Sequence, residues 1–189
     1  MITQILPTLA SLLALTTSTS DQAASKARLD AIWDAADDRV SRQIDIWFNQ
    51  GDYPKAIHGL TMQTHYYPHD YDVATNLGWM LENTEEWDKA LGVYEGFQKA
   101  NPGDKDAALP VGQYYWMKKQ YAKVPPIFEP VLSKHPHPNI YRILANSYEK
   151  MKKYDQAIRV WKTYLAVYPN DGQAKVNLAR DEKKLAQSK

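Results

Sequence analysis

Four prolines, Pro68, Pro102, Pro136 and Pro169, follow one another at intervals of 34, 34 and 33 residues. Four aromatic residues keep the same intervals: Tyr53, Trp87, Tyr121 and Tyr154. Three residues after each stands a small or modest side chain (Ala56, Ala90, Val124, Ala157), and four further on a large one (Leu60, Tyr94, Phe128, Trp161). A fixed period of this size constrains the chain more than any other feature. Each repeat is one supersecondary unit that cannot bury its own apolar face and must stack on its neighbour.

The first half of each period carries a second signature. Val40, Gln43-Ile44 and Trp47 stand in i, i+3, i+4, i+7 register, as do Ala74, Leu77-Gly78 and Leu81. Ala108, Val111-Gly112 and Tyr115, and then Tyr141, Leu144-Ala145 and Tyr148, repeat it. That register is the apolar stripe of a helix. Turn signals divide each unit at Gln50-Gly51-Asp52, Thr84-Glu85-Glu86, Lys118-Lys119-Gln120 and Lys152-Lys153, and others divide successive units at Asn101–Asp104 and Pro169–Gly172. Small residues such as Gly78, Gly112 and Ala145 let paired helices approach, and the aromatics fill the space between units.

This pattern resembles the tetratricopeptide repeat, a helix–turn–helix of 34 residues with W-x2-L-G-x2-Y, then A-x3-F, then P. The resemblance covers about Asp37 to Asp171 as four units, 37–70, 71–104, 105–137 and 138–171, and the last is the nearest match. It implies an all-α solenoid of helix–turn–helix repeats wound as a right-handed superhelix. Its matched residues are packing residues, so it speaks to fold far more than to function. Outside the units, Leu29, Ile32, Trp33, Ala36 and Val40 predict a helical extension upstream, within 21–36, from about Ser25. Val176, Leu178, Ala179 and Leu185, mixed with lysines and Arg180, predict a capping helix in 172–189.

Two departures stand out. Ile44 occupies a position that is small in the other units, so the first helix pair is expected to splay. The third unit holds Pro110, Pro125, Pro126 and Pro130. Pro125 and Pro126 suit a first helical turn, but Pro130 falls inside the second helix, where proline costs about 3 kcal/mol and kinks it.

The resemblance implies that the first helix of each unit lines a concave groove. By helical period the groove-facing residues are Ser41, Arg42, Asp45, Phe48 and Asn49, then Thr75, Asn76, Trp79, Glu82 and Asn83. Leu109, Gln113, Trp116 and Met117 continue them, followed by Arg142, Asn146, Glu149 and Lys150, with Asn177 and Arg180 on the cap. Phe48, Trp79, Trp116 and Met117 are large and apolar yet off the core stripe, which is how interfaces are marked. They are expected to floor a site for a peptide or helix, beside Asn76 and Gln113. Arg142, Asn146, Asn177 and Arg180 are expected to make a polar end for a carboxylate. The alternative is that the aromatics pack on their own neighbours, Trp116 covering the proline-bent segment. The carboxylate clamp of the chaperone-binding members of this family is not matched, because Ser41, Asp45, Asp106 and Pro110 stand where its other residues belong.

Charge excludes some partners: 23 basic against 22 acidic residues leave a net +1, which offers no attraction to nucleic acid or to an anionic membrane. Absence of cysteine removes thiol nucleophiles, disulfides and thiolate metal sites. His65 and His69 have metal-ligand spacing, but Pro68 between them ends the helix, and His135 and His137 sit in a turn, so no metal site is expected. No metalloprotease, nucleophile-elbow, phosphate-loop or dinucleotide motif occurs, so neither cofactor nor catalysis is expected.

Residues 1–20 read as a signal peptide. Ile5 to Leu15 form an apolar run too short to span a bilayer, and Thr16 to Ser20 are small and polar, although no Lys or Arg precedes the run. An exported chain, periplasmic or secreted, is expected on that reading, and a cytoplasmic one if the segment is not a signal. No integral membrane span is expected in the mature chain. The leading expectation is a non-catalytic scaffold binding a peptide or partner protein in its groove. The alternative is a homo-oligomeric structural or assembly protein joined through its end faces or the Leu29/Trp33 helix.

Overall fold

The computed structural model describes residues 19–188, so all but the last two residues of the segment read as a signal peptide lie outside the described residues, which begin with a helix. Among the described residues every regular element is helical. A 31-residue helix α1 (Thr19–Asn49) precedes α2 (Tyr53–Tyr66), and α3 (Tyr71–Asn83) pairs with α4 (Trp87–Ala100). After the short α5 (Leu109–Met117), the chain runs through a 3-10 turn (Tyr121–Lys123), one α-turn α6 (Pro125–Phe128) and a further 3-10 stretch (Glu129–Lys134). Regular pairing resumes with α7 (Pro138–Lys150) and α8 (Tyr154–Val167), and α9 (Gly172–Gln187) packs on α8. None of these helices is long and apolar enough to cross a membrane.

One turn design recurs inside the units. Gly51, Glu85, Lys119 and Lys152 all have positive φ, between 57° and 75°. The N–H of the next residue reaches back five positions, as in Asp52 to Trp47 O (2.8 Å) and Lys153 to Tyr148 O (2.9 Å). These are Schellman closures, which satisfy helix-end carbonyls and reverse the chain within a few residues. Only the first uses glycine; the others hold a left-handed L-residue at roughly 1 kcal/mol each. Between units, Asp70 and Asp171 cap α3 and α9 by accepting from Val73 N (3.0 Å) and Ala174 N (2.9 Å).

Within each pair, the space left by a small residue on one helix is filled from the other. A Cβ added to Gly78 would lie 2.0 Å from the Tyr94 ring, and one on Gly112 would lie 2.1 Å from the Phe128 ring. In the last unit Ala145 and Trp161 are both buried in one core cluster. In the first pair the small residue stands on the partner helix of Ile44. Gly59 faces it, with the place of its missing Cβ 2.6 Å from Ile44 Cγ1, so the small residue has simply changed helices. Ile44 is buried, and its volume is matched by Leu60 where the other units carry an aromatic.

The proline-rich third unit has no continuous second helix. Val124 and Phe128 stay buried while the backbone winds as short 3-10 and α pieces around them. Two cores result. One centres on Leu77, Leu81 and Tyr94, the other on Tyr141, Trp161 and Tyr164, and Tyr115 and Ile127 pack against both.

On the cap, Val176 is exposed rather than part of the apolar stripe. The seam is Ala174, Leu178, Asp181 and Leu185, in i, i+4, i+7, i+11 order. Trp161 Nε1 donates to Asp181 Oδ2 at 3.0 Å, which makes a fully buried carboxylate the anchor of α9. Burial raises its pKa above the usual aspartate value.

Candidate peptide-binding groove

Two adjoining clefts lie along the first helices of the first three units. One, of about 250 Å³, is bounded by Ile44, Asp45 and Phe48 from α1, Leu60 from α2, and Asn76, Trp79 and Met80 from α3. The other, of about 260 Å³, is bounded by Tyr71, Thr75, Asn76, Trp79 and Glu82 from α3, with Tyr94 beneath and Pro110, Gln113 and Met117 from α5. Asn76 and Trp79 belong to both, so Trp79 forms the ridge between them. Its side chain is 50% exposed, against 37% for Phe48 and 44% for Met117. The Phe48 and Trp79 rings lie 5.9 Å apart, and Tyr53 adds a third ring 5.9 Å from Phe48.

The structure therefore brings Phe48, Asn76, Trp79, Gln113 and Met117 onto one surface. Trp116 is elsewhere: its ring lies tilted beside that of Tyr121, centroids 5.0 Å apart, and packs, half-buried, against the C-terminal core. It stands next to Met117 in sequence, and the helical turn of about 100° per residue carries it off the groove face.

The expected polar end is already occupied from within. Arg142 Nη2 donates to Asp171 Oδ2 (2.8 Å) and to the Tyr164 hydroxyl (3.0 Å). Arg180 Nη2 donates to Glu149 Oε2 (2.7 Å), and Lys184 holds the other Glu149 oxygen at 2.5 Å. Asn177 Oδ1 accepts from Gln173 and Arg180, both at 3.2 Å, and Asn146 is half-buried. The Arg142 guanidinium, with the Tyr164 hydroxyl and the Ala174 N–H, holds the Asp171 carboxyl well below the usual carboxylate range. These arrangements tie α9 to α7 and α8 and engage both guanidiniums with the chain's own acids.

At the other end one acid is left short. Glu82 Oε1 is buried without a hydrogen-bond partner. Burial raises the Glu82 pKa, opposed by the neighbouring Tyr94 hydroxyl and by the charge of Lys118. The Tyr94 hydroxyl is itself pushed far up by burial and by Glu82. Sequence period places Glu82 on the groove face, three residues after Trp79, but not Tyr94, which belongs to the packing set and reaches the groove floor only because Gly78 lets its ring pass between the helices.

The histidines stand apart: His69 Nδ1 pairs with Asn101 Oδ1 at 2.8 Å and His65 lies edge-on to Tyr66. Among the described residues no three metal-ligating side chains converge.

Residues 43–105 match the family model described as tetratricopeptide repeat, and residues 83–163 match that described as anaphase-promoting complex, cyclosome, subunit 3. No curated protein matches the sequence. Among solved structures, a MamA protein superposes with a TM-score of 0.60 at 15% identity, over 76% of this chain and 79% of that one. MamA AMB-1 gives 0.59 at 21%, over 81% and 84%. A tetratricopeptide repeat protein from Parabacteroides merdae ATCC 43184 gives 0.64 at 17%, over 79% of this chain and 60% of that one. Identities this low carry the fold alone. With the recurring turns and the small-to-large packing within each pair, they show a helical solenoid of the tetratricopeptide repeat type, and the family model recognises that repeat over residues 43–105.

Proposed function

We infer that this protein is a non-catalytic scaffold whose groove across α1, α3 and α5 holds an extended or helical segment of a partner protein. One observation carries the reading: Phe48, Trp79 and Met117, which no core requires, stand exposed along two contiguous clefts on successive first helices. Exposed aromatic and methionine side chains in a concave surface supply large contact area at low entropic cost. The apolar Ile5–Leu15 run supports placing this activity outside the cytoplasm. The test is selection from a displayed peptide library on the intact chain, followed by titration of the selected peptides against Phe48→Ala/Trp79→Ala protein of unchanged helicity. Loss of binding in the double variant supports the groove; equal binding by both proteins overturns it.

A second reading has its own observation. From residue 21 to residue 36 every residue of α1 is exposed, and Leu29, Ile32 and Trp33 are 54%, 65% and 52% exposed. Such a stripe suits self-association through α1. Sedimentation of the intact chain beside Leu29→Ser/Trp33→Ser would show it as a concentration-dependent oligomer lost in the variant, and a monomer throughout would remove it.

A further inference from the structure

We propose that the groove selects segments presenting a lysine or arginine next to an apolar residue, with the cationic head received at Glu82 and the apolar side chain in the Phe48/Trp79 notch. The proposal rests on the groove reading above and specifies its ligand.

Charge complementarity is the first argument. The two clefts are lined by two acids, Asp45 and Glu82, and by no Lys, Arg or His. The one cation that acts on Glu82 is Lys118, and its Nζ is held over the Trp87 ring, 3.2 Å from the centroid. The second argument is the state of the Glu82 carboxylate. It is partly desolvated at the cleft floor with one oxygen lacking any donor. A half-satisfied carboxylate in such a place costs free energy, and an arriving ammonium or guanidinium recovers it through a charge-assisted hydrogen bond. That oxygen is itself buried, so a cation meets the carboxylate through the part of Glu82 that lines the cleft. The third argument is contrast. Glu149 and Asp171, further along the same solenoid, are each closed by the chain's own arginine, whereas Glu82 has none. The exposed face of Trp79 between the clefts adds a surface on which the aliphatic stem or the cation can rest.

The adjoining cleft sets the spacing. It is walled by Ile44, Phe48, Leu60 and Met80 and suits an aliphatic or aromatic side chain. Because Trp79 borders both clefts, the two ligand side chains lie on either side of one residue and therefore within a few positions of each other in the bound segment.

The probe is a set of acetylated, amidated heptapeptides carrying one Leu or Phe, with Lys, Arg, norleucine or Glu placed one to four residues away, titrated by fluorescence anisotropy. The Lys and Arg peptides are expected to bind about tenfold tighter than the norleucine ones, the size of one charge-assisted hydrogen bond. Glu82→Gln is expected to bring that preference below about threefold. Equal affinity of the Lys and norleucine peptides, or a preference that survives Glu82→Gln, overturns the proposal and leaves the groove reading standing. Binding of every peptide unchanged by Phe48→Ala/Trp79→Ala overturns both. Circular dichroism of each variant separates loss of ligand from loss of fold.

Discussion

The two ends of the solenoid use the same residue types in opposite ways. At the C-terminal end, Trp161 is buried and its N–H is spent on Asp181, while Arg142 and Arg180 are spent on Asp171 and Glu149. At the N-terminal end, Trp79 is half exposed, Phe48 and Met117 stand beside it, and one Glu82 oxygen lacks a donor. Polar groups satisfied within the chain hold helices together; apolar and acidic groups left unsatisfied on a concave surface are free to meet something else. The broken third unit lies between these ends, and its Tyr115 and Ile127 link the two cores.

The largest test of this contrast compares the tryptophans. Trp161→Ala is expected to lower stability by about 3–5 kcal/mol in chemical denaturation, the usual cost of emptying a large aromatic site. Trp79→Ala is expected to change it by under about 1 kcal/mol, since half of that side chain already faces solvent. Similar losses for both would erase the distinction between the ends.

Next comes acid. The folded pKa of Asp171 is depressed, chiefly by Arg142, below its ordinary value of 3.8. Its contribution is therefore present above that value and is lost as the pH falls below about 4. Asp171→Asn should be less stable than the intact chain at pH 7, and thermal melts should show the gap closing as the pH is lowered past 4. A gap independent of pH would mean that the ion pair with Arg142 does not act as described.

Glu82 should answer in the opposite sense. Burial raises its folded pKa above the ordinary 4.5, so the folded chain binds that proton more tightly than the unfolded one. Its ionised form then costs stability near neutrality, and the cost is relieved as the pH falls through the raised value towards 4.5. Glu82→Gln is expected to match or exceed the intact chain at pH 7, by no more than about 1 kcal/mol, with any advantage gone near pH 4. A clear loss of stability at pH 7 would show that the carboxylate is already satisfied. Melts of the two single variants beside the intact protein separate these contributions from that of Asp181, whose pKa is also raised by burial.

The smallest effect concerns the turns. Lys119→Gly relieves a left-handed residue, and a gain of up to about 1 kcal/mol in denaturation is expected. No gain would mean that the loss of backbone entropy on ordering glycine cancels the relief.

Sequence by itself determined the repeat, its helical halves and the apolar stripe of each first helix. Those follow from two periods, 34 and 3.6, that residue spacing carries directly. It therefore placed Phe48, Trp79 and Met117 together, and it marked the third unit as irregular through Pro130. Tertiary structure alone decided what depends on residues distant in the chain. Gly59 relieves Ile44 from another helix, Asp171 takes Arg142 across 29 positions, and Glu149 takes Arg180 across 31. Trp116 found Tyr121 and the C-terminal core to pack on, and Asp181, an acid among the lysines of the cap, proved to be its buried anchor. Periodicity states which way a side chain points; whether a partner awaits it there is set by packing between units, and that decides which polar groups are spent and which remain open.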